Sequence, residues 1–158
     1  MSKRAKELSL RLQALTDEVV GFVQRCSDTD WIKVCKEDWT VGVTARHIGA
    51  GHFRAVGLAK MIVSGERLPE MTMPQLIDMA NEHARQHAGC TREEVLDVLR
   101  QTGATLVGYV ADLSDADLDR TGHMALMGGQ VSAQRLLEAV VLGSSGEHLS
   151  SMKAAVAG

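Results

Sequence analysis

Hydrophobic residues recur along this chain at spacings of three and four, the period of an amphipathic helix. Leu8, Leu12, Leu15, Val19, Phe22 and Cys26 form the first such stripe and predict a helix over about 3–27. A polar connection, SDTDWIKVCKEDWT, leads to a second helix over about 41–64, which Thr40 can cap. Its inward stripe is Thr44, His47, Gly51, Ala55, Leu58 and Ile62, with Ile48 beside it. Thr72 and Gln75 make a capping-box pair, with Pro74 tolerated in the first turn, and open a medium helix to about His87. Thr91 and Glu94 repeat that pattern and open a third long helix with Leu96, Leu99, Leu106, Val110 and Leu113 inward. SDADLDRTGHMALMGGQ reads as a loop with one helical turn at 115–119. Ser132 caps the last helix, whose inner stripe is Leu137, Val141, Ser144, His148 and Met152. No segment alternates well enough to predict a strand.

Four long helices, with no repeat and no composition break, predict one all-α domain over 1–158, a four-helix bundle. The chain is 45% hydrophobic but only 3% aromatic, so its core must be built from aliphatic residues and methionine. A net charge of −3, with both signs mixed, gives no footprint for nucleic acid. No apolar run approaches the roughly 18 residues of a membrane span. The N-terminal MSKRAKELSL lacks the apolar centre of a secretory signal. These features predict a cytoplasmic protein with no nucleic-acid or membrane partner. Cys26, Cys35 and Cys90, odd in number and without a CxxC, read as reduced thiols.

The chemistry concentrates in the last helix. GSSGEHLSSM, at 143–152, weakens a helix, since each Gly costs about 1 kcal/mol relative to Ala. Tertiary packing must therefore hold it. His148 lies one turn after Ser144 on the inner stripe, and His47 on the second helix faces the same interior. Imidazoles from two facing helices form a candidate divalent-metal site. A third ligand would leave one position for water, whose pKa zinc can lower to about 7, or for a thiol. A serine hydroxyl is a poor zinc ligand. The alternative is a pair of core histidines bonded to each other or to Ser144. Ser144 as a nucleophile would need an oxyanion hole and an orienting partner, neither legible here.

His52, about 140° around the helix from His47, is expected to be exposed or at a helix interface. It and His123, in the Gly-rich loop, are the candidates to replace a missing ligand. His83 and His87 in NEHARQH have metal-pair spacing but lack the Glu of HExxH, and read as a solvated helix face. Trp31 and Trp39 are expected to pack the connection onto the bundle end, and Asn81 to brace it.

WTVGVTARHI at 39–48, IDMAN at 77–81, EEVL with LSDADLD in and after the third helix, and GSSGEHL at 143–149 occur in an order that resembles the DinB/YfiT-like superfamily. That superfamily includes mycothiol- and bacillithiol-dependent enzymes. The resemblance covers nearly the whole chain. It implies an up-down-down-up four-helix bundle, often dimeric, in which one histidine of the second helix and two ligands one turn apart on the fourth bind a divalent metal. His47 matches the second-helix ligand and His148 the final one. The middle ligand, His or Glu in relatives, falls at Ser144, which marks this site as degenerate.

The resemblance implies a metal-dependent enzyme acting on a small molecule, of thiol-transferase, isomerase or hydrolase type. Zn, Ni or Fe would be the ion, held weakly or not at all, and a low-molecular-weight thiol the co-substrate. A second reading is a non-catalytic, stress-related dimeric binding protein on the same fold. A third is a helix–helix contact, a homodimer interface that Gly143, Ser144 and Gly146 would permit by letting backbones approach.

Overall fold

The computed structural model describes residues 2–158. Four long helices make a bundle: α1 (Lys3–Arg25), α3 (Val41–Ser64), α5 (Arg92–Ala111) and a last helix in which α7 (Ala133–Leu137) and α8 (Gly146–Ala157) join through a π-helical stretch, Glu138–Ser145. Short helices α2 (Asp28–Trp31) and α6 (Asp115–Asp119) sit in the connections, and α4 (Met73–Gln86) links α3 to α5. Every start except that of α8, which continues the last helix, has a side-chain cap. Thr40 accepts from the Val43 amide, and Thr72 and Thr91 form reciprocal capping boxes with Gln75 and Glu94. Gly65, with φ of 79°, ends α3 in the left-handed conformation that glycine adopts without strain.

Side-chain contacts fix the helix directions. Arg4 reaches Gln134, Arg11 reaches Glu138, and Lys153 reaches Glu18, so α1 and the last helix run parallel. Thr16 packs at Gly103, while Arg92 bonds the Cys26 carbonyl and Asp28, so α1 and α5 run antiparallel. Gly49 meets Val98 and Leu99, and Lys60 lies over the Tyr109 ring, so α3 and α5 run parallel. The order is up-down-down-up. Parallel neighbours need a crossover, which explains why a 14-residue helix, α4, stands between α3 and α5.

The core forms two apolar clusters. Leu8, Leu12, Leu106, Leu136 and Leu137 anchor one; Val19, Phe22, Ile48, Leu99 and Met152 anchor the other. α4 contributes no buried residue and lies outside both. No helix among the described residues is long and apolar enough to cross a membrane.

Three features differ from the expectations of the sequence. Asp28–Trp31 is helical, started by a Ser27–Asp30 capping box inside a stretch that reads as a polar connection. Thr121–Met124 and Gly129–Ser132 form an antiparallel hairpin, with Thr121 opposite Ser132. Its strands are too short for a period-2 signal, and Gly122 packs against Ile62 and Leu68, which fixes it on the bundle end. The inner stripe of the last helix runs through Leu137, Val141, Ser145, Leu149 and Met152, and Ser144 is exposed. The π-helical turns take more than 3.6 residues each, so the stripe advances four residues where the sequence pattern expects three.

Candidate functional site

The chain between α2 and α3 doubles back on itself. Val34 bridges Thr40, the Cys35 amide donates to the Trp39 carbonyl at 2.8 Å, and Asp38 takes a positive φ of 62°. Asp tolerates that conformation better than most residues. The turn is tied to the last helix by the Lys36 amide, which donates to Ser151 Oγ at 3.3 Å. It thereby places Glu37 and Trp39 over the start of α3 and beside α8.

Four rings meet there. The Trp39 centroid is 4.9 Å from His47 and 6.1 Å from His148, and His47 is 4.9 Å from His148 in an edge-on arrangement. His83 of α4 approaches His47 to 5.8 Å and stacks near His87 at 4.5 Å. Trp39 Nε1 donates to Asn81 Oδ1 at 3.2 Å, which braces α4 against the turn. Glu37 Oε2 lies 3.6 Å from His148 Nδ1, and both side chains are largely buried. Glu37 Oε1 and Oε2, His148 Nδ1 and His83 Nδ1 are buried without a hydrogen-bond partner among the described residues. Buried polar atoms are normally paired, so such a concentration is informative.

Burial keeps His47 and His83 neutral. Burial pulls the His47 pKa down to about 3, and repulsion from His148, His83 and Arg54 adds to it. Burial pulls His83 down to about 4, with His87, Arg46 and Arg54 adding to it. Neutral imidazole is the form that accepts a proton or binds a metal. The thiols are poor nucleophiles by contrast: burial raises the pKa of Cys26, Cys35 and Cys90 alike.

The structure thus brings together His47 and His148, as the sequence places them. Ser144 is exposed and off the buried stripe, and its neighbour Ser145 is buried instead. His83 is not on a solvated face; α4 folds it onto His47. His52 is neither exposed nor a substitute ligand. It is fully buried in α3, with both ring nitrogens unpartnered and a pKa pulled down to about 4 by burial alone. His123 pairs with Gln130 in the hairpin, whose Gly122 contacts Ile62. Ile62 lies about 22 Å along α3 from His47, so His123 is remote from the site. Glu37 is the residue that sequence reasoning missed. Nothing in KEDW distinguishes it from a solvated charge run.

The donor set suits a divalent ion in kind: neutral imidazoles, a carboxyl group and unpartnered buried atoms on both. In arrangement it is incomplete. Among the described residues no three His, Cys, Asp or Glu side chains converge as a metal-holding group.

Comparison with known proteins agrees with this architecture. A solved chain from Bacillus subtilis, YfiT, described as "a probable metal-dependent hydrolase with an unusual four-helix bundle topology", superposes with a TM-score of 0.78. It shares 15% identity, and the match covers 98% of this chain and 87% of that one, so the likeness concerns the fold. Among curated proteins none matches. Residues 11–145 match the family model of the DinB superfamily, a span that includes all of α3 to α5 and His47. With a four-helix bundle of up-down-down-up order and a family match over most of its length, the chain belongs to the DinB superfamily.

Proposed function

We propose that the chain is a metal-dependent, hydrolase-like protein acting on a small molecule at the cleft around His47 and His148. The observation that carries this reading is the cluster of buried polar atoms without partners: both oxygens of Glu37, and Nδ1 of His148 and of His83, around a neutral His47. Leaving such groups unpaired costs about 1–3 kcal/mol each, a cost that persists in a native fold where a ligand offsets it. The YfiT likeness and the family support the class of activity.

His47 and His148 would hold the ion. Glu37, 3.6 Å from His148 Nδ1, would receive that nitrogen's proton as a hydrogen bond and leave Nε2 free to ligate. A divalent ion held there would supply Lewis acidity and acidify water. Trp39 walls one side of the histidine pair and limits how water reaches it. With no three His, Cys, Asp or Glu side chains converging among the described residues, affinity for the ion should be low. Water suffices as the second reactant, which favours hydrolysis over transfer to a low-molecular-weight thiol.

The test is calorimetric titration of Zn²⁺, Ni²⁺ and Fe²⁺ into untagged protein and into His148→Ala. Saturable binding of one ion per chain, lost in the variant, is the expected result. Absence of binding below about 1 mM, some −4 kcal/mol, would overturn the metal reading. The cleft would then favour the non-catalytic binding alternative.

A further inference from the structure

Two arginines stand near the histidine cluster, and among the described residues neither forms an ion pair with a carboxylate. His47, Gly51 and Arg54 follow one another on a single face of α3, within about 60° around the helix. At Gly51 a Cβ atom would meet no heavy atom within 4 Å, so the stretch between imidazole and guanidinium has no side chain and opens on free space. Arg46 stands on the adjoining face and touches α4, its Nη1 3.5 Å from His83 Nε2. His83 in turn approaches His47 to 5.8 Å. Both arginines are half-buried. Among the described residues, every other ion pair of the chain joins different cations, and neither Arg46 nor Arg54 takes part in one.

An unpaired guanidinium is a fork of N–H donors shaped for a planar carboxylate or for phosphate oxygens. Glu37 stands on the far side of this cluster, beside His148, and pairs with neither guanidinium, so a ligand oxyanion would be their direct partner. Arg54 lies about 10 Å along α3 from His47, two helical turns. A flexible arginine spans most of that gap, and the bare surface at Gly51 leaves room for the body of a ligand.

We infer that the trough His47–Gly51–Arg54, with Arg46 at its edge, binds the oxyanion of an anionic substrate, a carboxylate or a phosphate monoester, and holds its uncharged part against His47 and His148. This rests on the cleft being a substrate site and is independent of whether a metal is bound there. The trough selects a small molecule that carries its charge a few bonds from the reacting group. A neutral substrate would leave both guanidinium groups unpaired.

The experiment uses the full chain freed of metal with EDTA, in low-chloride buffer, and follows binding of inorganic phosphate and, separately, of acetate by calorimetry and by ligand-observed NMR. Saturable binding of either ion is expected. Arg54→Gln and Arg46→Gln should each weaken it about tenfold or more. Arg54→Lys, which keeps the charge and loses the fork, should fall between. Circular dichroism of each variant confirms the fold. Stronger binding of phosphate assigns a phosphate ester, and stronger binding of acetate a carboxylate; either supports the inference. Lack of saturation with both ions by about 10 mM, or an affinity unchanged in both glutamine variants, would overturn it. If metal titration fails while arginine-dependent anion binding remains, the metal reading falls and this one stands. If metal binds and anions do not, the reverse holds.

Discussion

Gly49 and Gly51 stand two residues apart on α3 and face opposite situations. A Cβ at Gly49 would come within 2.7 Å of Val98, in the contact with α5, whereas a Cβ at Gly51 would touch nothing within 4 Å. The difference separates two sides of one helix. The side toward α5 is closed, apolar and close-packed, and sets the stability. The side toward α4 and α8 is polar and incompletely paired, with Glu37, His47, His83 and His148 crowded together. Close-packed interiors resist any change of volume, while a cleft for ligands must leave groups available for them. One helix therefore carries both the packing and the chemistry by dividing them around its circumference.

The largest expected effect lies on the closed side. Leu99 is fully buried between α3 and α1, and Leu99→Ala should cost about 2–5 kcal/mol in urea unfolding while leaving metal and phosphate affinities unchanged. A loss of ligand affinity in that still-folded variant would mean that the two sides are coupled.

His52 is the exception on the closed side, and it gives the next effect. Its pKa is pulled from 6.5 to about 4 by burial, with no charge beside it. The unfolded chain takes up a proton near pH 6.5 and the folded one near pH 4. Stability from this group is therefore complete above pH 6.5 and is lost as pH falls toward 4. Between pH 7.5 and 5.0 that loss is about 2 kcal/mol. His52→Leu removes the proton uptake and two unpartnered nitrogens, so it should be as stable as wild type at pH 7.5 and lose about 2 kcal/mol less by pH 5.0. Identical acid slopes for the two proteins would show that His52 is not buried as a neutral group. Gly49→Ala comes third: the methyl forces Val98 aside, and overpacking of about 1–3 kcal/mol exceeds the gain of about 1 in helix propensity.

Much of this was legible in the sequence because helix period and capping are local. The stripe from Leu8 to Cys26, the caps at Thr40, Thr72, Thr91 and Ser132, and the turn at 115–119 all appear where the residues place them. The sequence pattern set His47 and His148 facing each other, and the structure brings them together at the edge of the buried stripes rather than on them, since Ile48 and Leu149 take the buried positions beside them. What escaped depends on non-local geometry. The π-helical stretch is defined by hydrogen bonds rather than by a residue pattern, and it moved the stripe from Ser144 to Ser145. Glu37 enters the site through a turn closed by the Val34–Thr40 bridge, 111 residues before its partner His148. His83 left its expected solvated face for the site, and of the two places open to His52, exposed or at a helix interface, the structure shows it buried, since only packing decides which face of α3 meets α4 and which meets the core.

The smallest effect on stability makes the sharpest test of the division. Gly51→Leu places its Cβ where nothing stands within 4 Å, so the backbone position accepts a side chain without forcing a neighbour aside. It also replaces the poorest ordinary helix former with one of the best, a gain of up to about 1 kcal/mol. Exposure of the added apolar surface offsets part of that gain, so the midpoint in urea should move up slightly or stay. Yet the leucine would lie between His47 and Arg54, over the surface the ligand is expected to occupy, and phosphate binding should fall about tenfold or more. A destabilised Gly51→Leu would show that the trough is closed in solution. A stable variant with undiminished phosphate binding would move the ligand off this face of α3. Stability kept and binding lost is the outcome expected of a surface held open for a substrate, and Gly49→Ala, two residues away, should give the opposite pair of results.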